Sequence, residues 1–297
     1  MTKRNIRIAY GTNMGLVGPT GFSLASALSA TPGVGHVDIL SVSLTGEAVN
    51  FLQRIADDAE VSIQFHPLTD AHFRSAKPQG NHVPKAALSR LLLPDYVEGR
   101  VIYLDGDTWV RRDLAPLFDM ELDGALIGGV RDYGRLRGAS LLHAGRESDK
   151  GHDVAKIVSP YPADSYINSG VLLLDCAAIR REAGIYEAMH QFQRAIKYTT
   201  VDQDYLNELF RGRIKHLNPA WNASWGRDAR QRKWISAHGY SGEEVQHQKT
   251  SVYHFHGAEK PWQPLSKDKW RRRRYAILVY KLRLEIFKKR HPSKFFA

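Results

Sequence analysis

In the stretch Val101, Ile102, Tyr103, Leu104, Asp105, Gly106, Asp107, four apolar residues run into an acidic turn. An apolar run this short, bounded by an Asp-Gly turn signal, reads as a strand over Val101 to Leu104. The two carboxylates follow where the strand stops. Their spacing lets both face the same way at a sheet edge, and two converging carboxylates suit a divalent cation. The same pair also describes a solvated strand end, and Asp202 with Asp204 repeats the spacing elsewhere.

Working outward, a strand over Ile6 to Tyr10 ends in Gly11, Thr12 and Asn13, and a helix follows over Phe22 to Leu28. Further strands are predicted at His36 to Val42 and Val61 to His66, with helices over Ala48 to Asp57 and Lys85 to Leu93. Beyond the acidic turn come strands at Leu126 to Val130 and Tyr166 to Leu174, and a helix over Ala177 to Tyr198. A helix capped by Asp202 runs to Phe210, and a late strand covers Val252 to Phe255. Residues 134–161 are polar and follow no clear period, which suits a lid or an insertion. Alternating strands and helices predict an α/β fold. Its mostly parallel sheet is covered on both faces, and ligands gather beyond the carboxyl ends of the strands.

Composition narrows the function. A chain of 297 residues with 43% hydrophobic residues buries a core, and disorder is excluded for the bulk of it. Cys176 is the sole cysteine, so neither an internal disulfide nor a paired-thiolate metal site can form. The net charge is +11, yet residues 267–294 hold twelve bases against two acids. The rest is nearly neutral. That distribution argues against a nucleic-acid face spread over the fold. No apolar run reaches membrane-spanning length, and the first strand occupies the place of a signal peptide, so cytoplasmic residence is the default expectation.

Several polar residues sit where chemistry gathers. His254 and His256 flank the end of the late strand, and imidazole from His254 can complete an oxygen and nitrogen ligand set. The alternative is a hydrogen-bonded structural histidine. Gly257 lets backbone approach a ligand, and Lys260 offers a point charge suited to phosphate. Asn168, Ser169 and Gly170 interrupt an apolar strand, as either ligand contacts or a polar bulge. Asp202 is a helix cap or a site residue. Arg90 and Asp132 are open to the same two readings.

Taken in order, Ser89 to Leu91, Tyr103 to Asp107, Tyr166 to Leu173, Asp202 to Asp204, and His254 to Gly257 with Lys260, Pro261 and Trp262 resemble glycosyltransferase family 8. These are retaining enzymes with a GT-A fold, and the likeness is strongest to bacterial lipopolysaccharide and lipooligosaccharide galactosyl- and glucosyltransferases. It covers about residues 5–265. The resemblance implies a GT-A catalytic domain over 1–265 in which Asp105, Asp107 and His254 bind manganese, with magnesium as the alternative. The metal would hold the diphosphate of a UDP-hexose donor, with Gly106, Gly257 and Lys260 beside it. Arg90, Asp132, Asn168, Ser169, Asp202 and Gln203 match positions around the donor sugar, and Gln203 matches the residue nearest the reacting carbon. Around the base the chain departs from the family pattern. The usual acid and aromatic are replaced by Gly11 or Thr12 and Met14, which leaves Ala9, Tyr10, Thr12 and Asn13 to line this part, Tyr10 by stacking and Thr12 by hydrogen bonding.

Residues 266–297 form a separate basic segment. Tyr275, Leu278, Val279, Leu282 and Ile286 recur at helical spacing among arginines and lysines. Such a helix either lies on an anionic leaflet or packs on the domain with its basic face in water. The expected enzyme is a metal-assisted retaining hexosyltransferase with a glycan or glycolipid acceptor, in lipopolysaccharide or cell-surface polysaccharide synthesis. It would work on the inner face of the cytoplasmic membrane. The alternatives are a metal-dependent nucleotide-sugar phosphohydrolase and a non-catalytic sugar-nucleotide or glycan-binding module.

Overall fold

Along β1 (Ile6–Asn13), Ile6, Ile8 and Tyr10 point into one core and Ala9 into another, because successive strand residues face opposite sides of a sheet. In the computed structural model, which describes residues 5–73, 85–147 and 149–296, this strand lies near the middle of a seven-stranded sheet. The remaining strands are β2 (Val34–Val42), β3 (Ser62–Leu68), β4 (Arg100–Leu104), β5 (Thr108–Val110), β6 (Ile127–Arg131), β7 (Ile167–Asp175), β8 (Ile214–His216), β9 (Ala223–Ser224) and β10 (Val252–His254). The main order is β3-β2-β1-β4-β7-β6-β8. All neighbours are parallel except β7, which runs antiparallel to β4 and β6. The expected mixed, mostly parallel sheet flanked by helices is therefore the one observed.

A small second sheet, β5-β10-β9, brings the chemistry together. β10 pairs antiparallel with β5, so His254 lies opposite Thr108, the residue after Asp107, and its parallel pairing with β9 sets His254 beside Ser224. Residues far apart in sequence thus meet at the carboxyl end of β4.

Two helical expectations are corrected, and residues 134–161, to which the sequence assigns no secondary structure, prove largely helical. The helix predicted over 85–93 is a short α-turn (Lys85–Leu88), a 3-10 turn (Ser89–Leu92) and another α-turn (Leu93–Tyr96). β1 passes so closely that a Cβ on Gly11 would lie 2.2 Å from Ser89 Oγ, and Ser89 Oγ donates to Ala86 O at 2.7 Å. Helix 177–198 is three pieces, broken where Glu182 and Gln191 take ψ of 74° and 59°. Residues 134–161 carry two helices, Tyr133–His143 and Asp149–Val158, and Val154 and Val158 of the second pack on Tyr166.

The terminal helix, Lys267–Arg290, bends at Arg273 and lies against the molecule. Ala276, Ile277, Tyr280, Leu284 and Phe287 are its buried residues. Tyr280 packs edge-on against Phe22 of helix α1 (Val17–Ala30) and against Phe255, at centroid distances of 4.8 and 4.7 Å. Phe287 meets Phe22 and also Phe51 of helix α2 (Gly46–Asp57). Four of the five residues singled out by periodicity point the other way, Tyr275, Leu278, Leu282 and Ile286 being 68%, 47%, 63% and 51% exposed, whereas Val279 is half-buried against the core. Among the described residues no helix is long and apolar enough to cross a membrane.

Candidate active site

Asp105 follows β4, Asp107 precedes β5 and His254 ends β10, and one ligand atom from each lies within 4.8 Å of the other two. Each acid commits one oxygen to a fixed partner and turns the other inward. Asp105 Oδ1 accepts from Arg90 Nη2 at 2.8 Å and from Tyr103 Oη at 3.0 Å, while Oδ2 faces His254 Nε2 at 3.7 Å. Asp107 Oδ2 takes Lys260 Nζ at 2.5 Å, and Oδ1 stands 3.1 Å from His254 Nε2. His254 Nδ1 is 2.9 Å from Asn222 Oδ1, which assigns the ring proton to Nδ1 and leaves the Nε2 lone pair free.

That Nε2 is buried without a hydrogen-bond partner. A buried nitrogen between two carboxylate oxygens is costly unless a cation completes it, and two hard oxygens with one imidazole suit manganese or magnesium. Space is kept for the group. A Cβ on Gly170 would lie 2.1 Å from His254 Cε1 and 2.7 Å from Asp105 Oδ2, so only glycine leaves these side chains in place. The residues present therefore fit a divalent ion.

Charge balance in the site is local. Burial alone would favour the neutral acid, yet positive charge on the His254 ring in its cationic form, which a bound cation would replace, and on Lys260 holds the Asp107 carboxyl well below the usual carboxylate range. Arg90 is buried, which disfavours its charge, but Asp105 and Asp202 hold it firmly protonated. Asp202 differs: burial pushes its carboxyl up to about 6, against the pull of Arg90. It lies in the first turn of helix Asp202–Leu209 and caps nothing with its side chain. Its carboxylate instead meets Ser169 Oγ and Arg90 Nε, each at 3.1 Å.

A polar wall extends from there. Asn168 Nδ2 donates to Gln203 Oε1 at 2.8 Å and to Asp132 Oδ2 at 3.1 Å, and Ser169 N also donates to Gln203 Oε1. Asp132 Oδ1 caps helix Tyr133–His143 through Gly134 N and Arg135 N. The structure thus gathers Arg90, Asp105, Gly106, Asp107, Asp132, Asn168, Ser169, Asp202, Gln203, His254 and Lys260 around one cleft. Gly257 follows in the adjoining loop with φ of 99°, a conformation glycine alone adopts freely. Gly106 lies against Thr20, whose Oγ1 a Cβ would approach to 2.4 Å.

The base-side expectations fare differently. Tyr10 is fully buried in the core with its hydroxyl at Ser23 Oγ, so it offers no face for stacking. Thr12 is buried against Thr20 Oγ1, and Ala9 faces the opposite core. Only Asn13 reaches solvent from this set, its Oδ1 accepting from Gly15 N, and the neighbouring Met14 is 38% exposed. His256, left outside the ligand set by the sequence, bonds Ser224 Oγ through Nε2 at 2.6 Å. Asn222 is the residue that sequence reasoning missed. It orients His254 and donates to Asn168 Oδ1 at 2.9 Å, linking the Asp105, Asp107 and His254 cluster to the polar wall.

Residues 7–266 match the family model for glycosyl transferase family 8. General stress protein A of Bacillus subtilis (strain 168) is 23% identical over 209 residues, 68% of this chain and 68% of that protein. The glycosyltransferase GlyB of Streptococcus pneumoniae serotype 4 is 30% identical over 201 residues, 64% of this chain but only 42% of the relative. Among solved structures, galactosyltransferase LgtC, in complex with donor and acceptor sugar analogs, superposes with a TM-score of 0.70 at 21% identity, covering 92% of this chain and 96% of that one.

Proposed function

This chain belongs to glycosyltransferase family 8, and we propose that it moves a hexose, galactose or glucose, from a UDP-sugar to a glycan or glycolipid acceptor with retention of configuration. The observation that carries the reading is the meeting of Asp105 Oδ2, Asp107 Oδ1 and the orphaned His254 Nε2 beside the hydrogen-bonded polar groups of Asp132, Asn168, Ser169, Asp202 and Gln203. Those three atoms would hold a divalent ion, which supplies Lewis-acid stabilisation of the diphosphate as it departs.

The chain's own residues account for the rest. Breaking the bond between the anomeric carbon and the phosphate oxygen builds negative charge on the diphosphate, and Lys260 stands beside Asp107 where that charge develops. Asp132, Asn168, Ser169 and Asp202 present acceptors and donors that would orient the hexose hydroxyls. Gln203 Oε1 is already occupied by Asn168 and Ser169 N, which fixes its amide as a dipole that would face the reacting carbon. A neutral amide is a poor nucleophile. Attack by the acceptor hydroxyl on the face of the departing phosphate therefore fits better, the hydroxyl proton passing to the phosphate oxygen.

Peripheral docking on an anionic membrane, as for an enzyme of lipopolysaccharide or surface-polysaccharide synthesis, is supported by the exposed stripe of the terminal helix and its flanking bases. The deciding test incubates the protein with manganese and a panel of UDP-hexoses, with and without lactose and lipid-linked glycans as acceptors. Nucleotide release accelerated by an acceptor, with an axial product from an axial donor bond, is expected. Release that no acceptor accelerates would indicate a phosphohydrolase, and binding without release a non-catalytic module.

A further inference from the structure

Helix α1, β5 and the terminal helix enclose an open groove of about 410 Å³. Phe22, Trp109, Val279 and Phe287 make its floor apolar, whereas Arg111, Arg283 and Arg290 stand on its rim and, among the described residues, no acid lines it. On the terminal helix, Val279, Arg283, Ile286 and Arg290 follow at intervals of three and four residues, so one helix face forms the wall. Arg111 is held in place by Tyr253 Oη, 3.2 Å from Nη1, and by Trp109, whose ring centroid is 4.9 Å from the guanidinium carbon. It is nonetheless exposed. Among the described residues none of these three arginines pairs with a carboxylate.

We propose that this groove binds the headgroup of an anionic phospholipid, its phosphate between the arginines and its first acyl carbons over Trp109 and Val279. Planar guanidinium groups match phosphate oxygens in pairs, and three of them without acids make a site for a negative group. The floor distinguishes the ligand. A free phosphate leaves that apolar surface unused, and a neutral lipid leaves the arginines unused. Ile286 supplies the connection, since it lines the groove and also belongs to the exposed stripe with Leu282, Leu278 and Tyr275. A lipid of the outermost layer reaches the groove when that stripe lies on the bilayer. The site rests on the proposed membrane docking and adds to it a choice of lipid.

Calorimetric titration of the full chain with dihexanoylphosphatidylglycerol, below its micellar concentration, tests the groove without a membrane. Affinity at least tenfold above that for dihexanoylphosphatidylcholine is expected. The exposed pair Arg283→Gln and Arg290→Gln should lose that preference with unchanged melting. Leu282→Ser, outside the groove, should keep it while sedimenting less with phosphatidylglycerol vesicles. Equal affinities, a preference surviving in the double variant, or inorganic phosphate binding as tightly as the anionic lipid would each overturn the assignment. A preference for the monomeric lipid without any sedimentation of the wild type would leave the groove standing and remove the membrane reading.

Discussion

The cleft at the end of β4 and the terminal helix both concentrate charge, but they hold it in opposite ways. In the cleft the charges are buried or half-buried and held in pairs: Arg90 with Asp105 and Asp202, Asp107 with Lys260. On the helix most bases are exposed, and its few pairs, such as Arg272 with Asp268 and Lys288 with Glu285, lie in water. Buried charges act through geometry, so one substitution disables the whole arrangement. Exposed charges act by their sum, and each is nearly dispensable. The largest effect separating the two regions is expected from Asp105→Asn, which removes a proposed ion ligand and half of the Arg90 pairing. Transfer should fall on the order of 10³-fold in kcat/KM, with a parallel loss of manganese affinity by calorimetry. Unchanged turnover and metal binding would place the chemistry elsewhere.

Next in size is a change that tests whether the helix is an appendage at all. Phe287 is nearly buried against Phe22 and Phe51, so Phe287→Ala should destabilise the whole molecule by about 3–5 kcal/mol. A denaturant titration reads this directly. If stability holds, the helix is a detachable tail, and the contrast between a structural inner face and a solvent-facing outer one fails.

This helix also shows how far the sequence could be read. Its apolar positions recur around two faces, and helical spacing selects Tyr275, Leu278, Val279, Leu282 and Ile286, of which only Val279 packs on the core, over Ile277, Tyr280, Leu284 and Phe287. Only the rings of Phe22, Phe51 and Phe255 decide which face is inner, and they come from distant parts of the chain. The acidic pair and His254 were legible because each ends an apolar run that local pattern can find. Tyr10 was misread as a stacking residue, although strand alternation already groups it with Ile6 and Ile8 in the core. Asn222 left no such signal: it precedes a two-residue strand, and its role exists only once β9 lies beside β10.

Asn222 supplies the third prediction. Asn222→Ala leaves all three ligand atoms present but frees the His254 ring and strips Asn168 of a donor. Metal affinity should fall roughly 10–100-fold, the range for losing a partner that orients a ligand. A loss as large as that of Asp105→Asn would mean that Asn222 touches the reacting groups itself.

Acidity offers a finer probe of the same cleft. With its carboxyl raised to about 6, Asp202 takes up a proton as pH falls, so its ability to accept from a sugar hydroxyl is lost below that point. The kcat profile should drop by about tenfold per pH unit on that limb, and Asp202→Asn should flatten it. Stability moves the other way. A folded-state pKa above the unfolded value gives a contribution present below the unfolded pKa and lost as pH rises through about 6. A variant more stable than the parent at neutral pH and flat in activity would satisfy both signs.

The smallest effect belongs to a single base on the outer helix face. Lys289 is exposed and flanks the stripe of Leu282 and Ile286. A base near an anionic surface contributes roughly 1 kcal/mol, so Lys289→Gln should weaken binding to phosphatidylglycerol vesicles about fivefold at low salt. The difference should fade as ionic strength rises and the Debye length shrinks below the spacing of the charges. Thermal stability should stay within about 0.5 kcal/mol, as for other surface changes without a buried partner. Collective attraction also predicts that neighbouring bases are interchangeable, so Lys281→Gln should act alike and the two should add. A single lysine whose loss abolished vesicle binding would show a specific contact of the kind found in the cleft, and the contrast between the two regions would collapse.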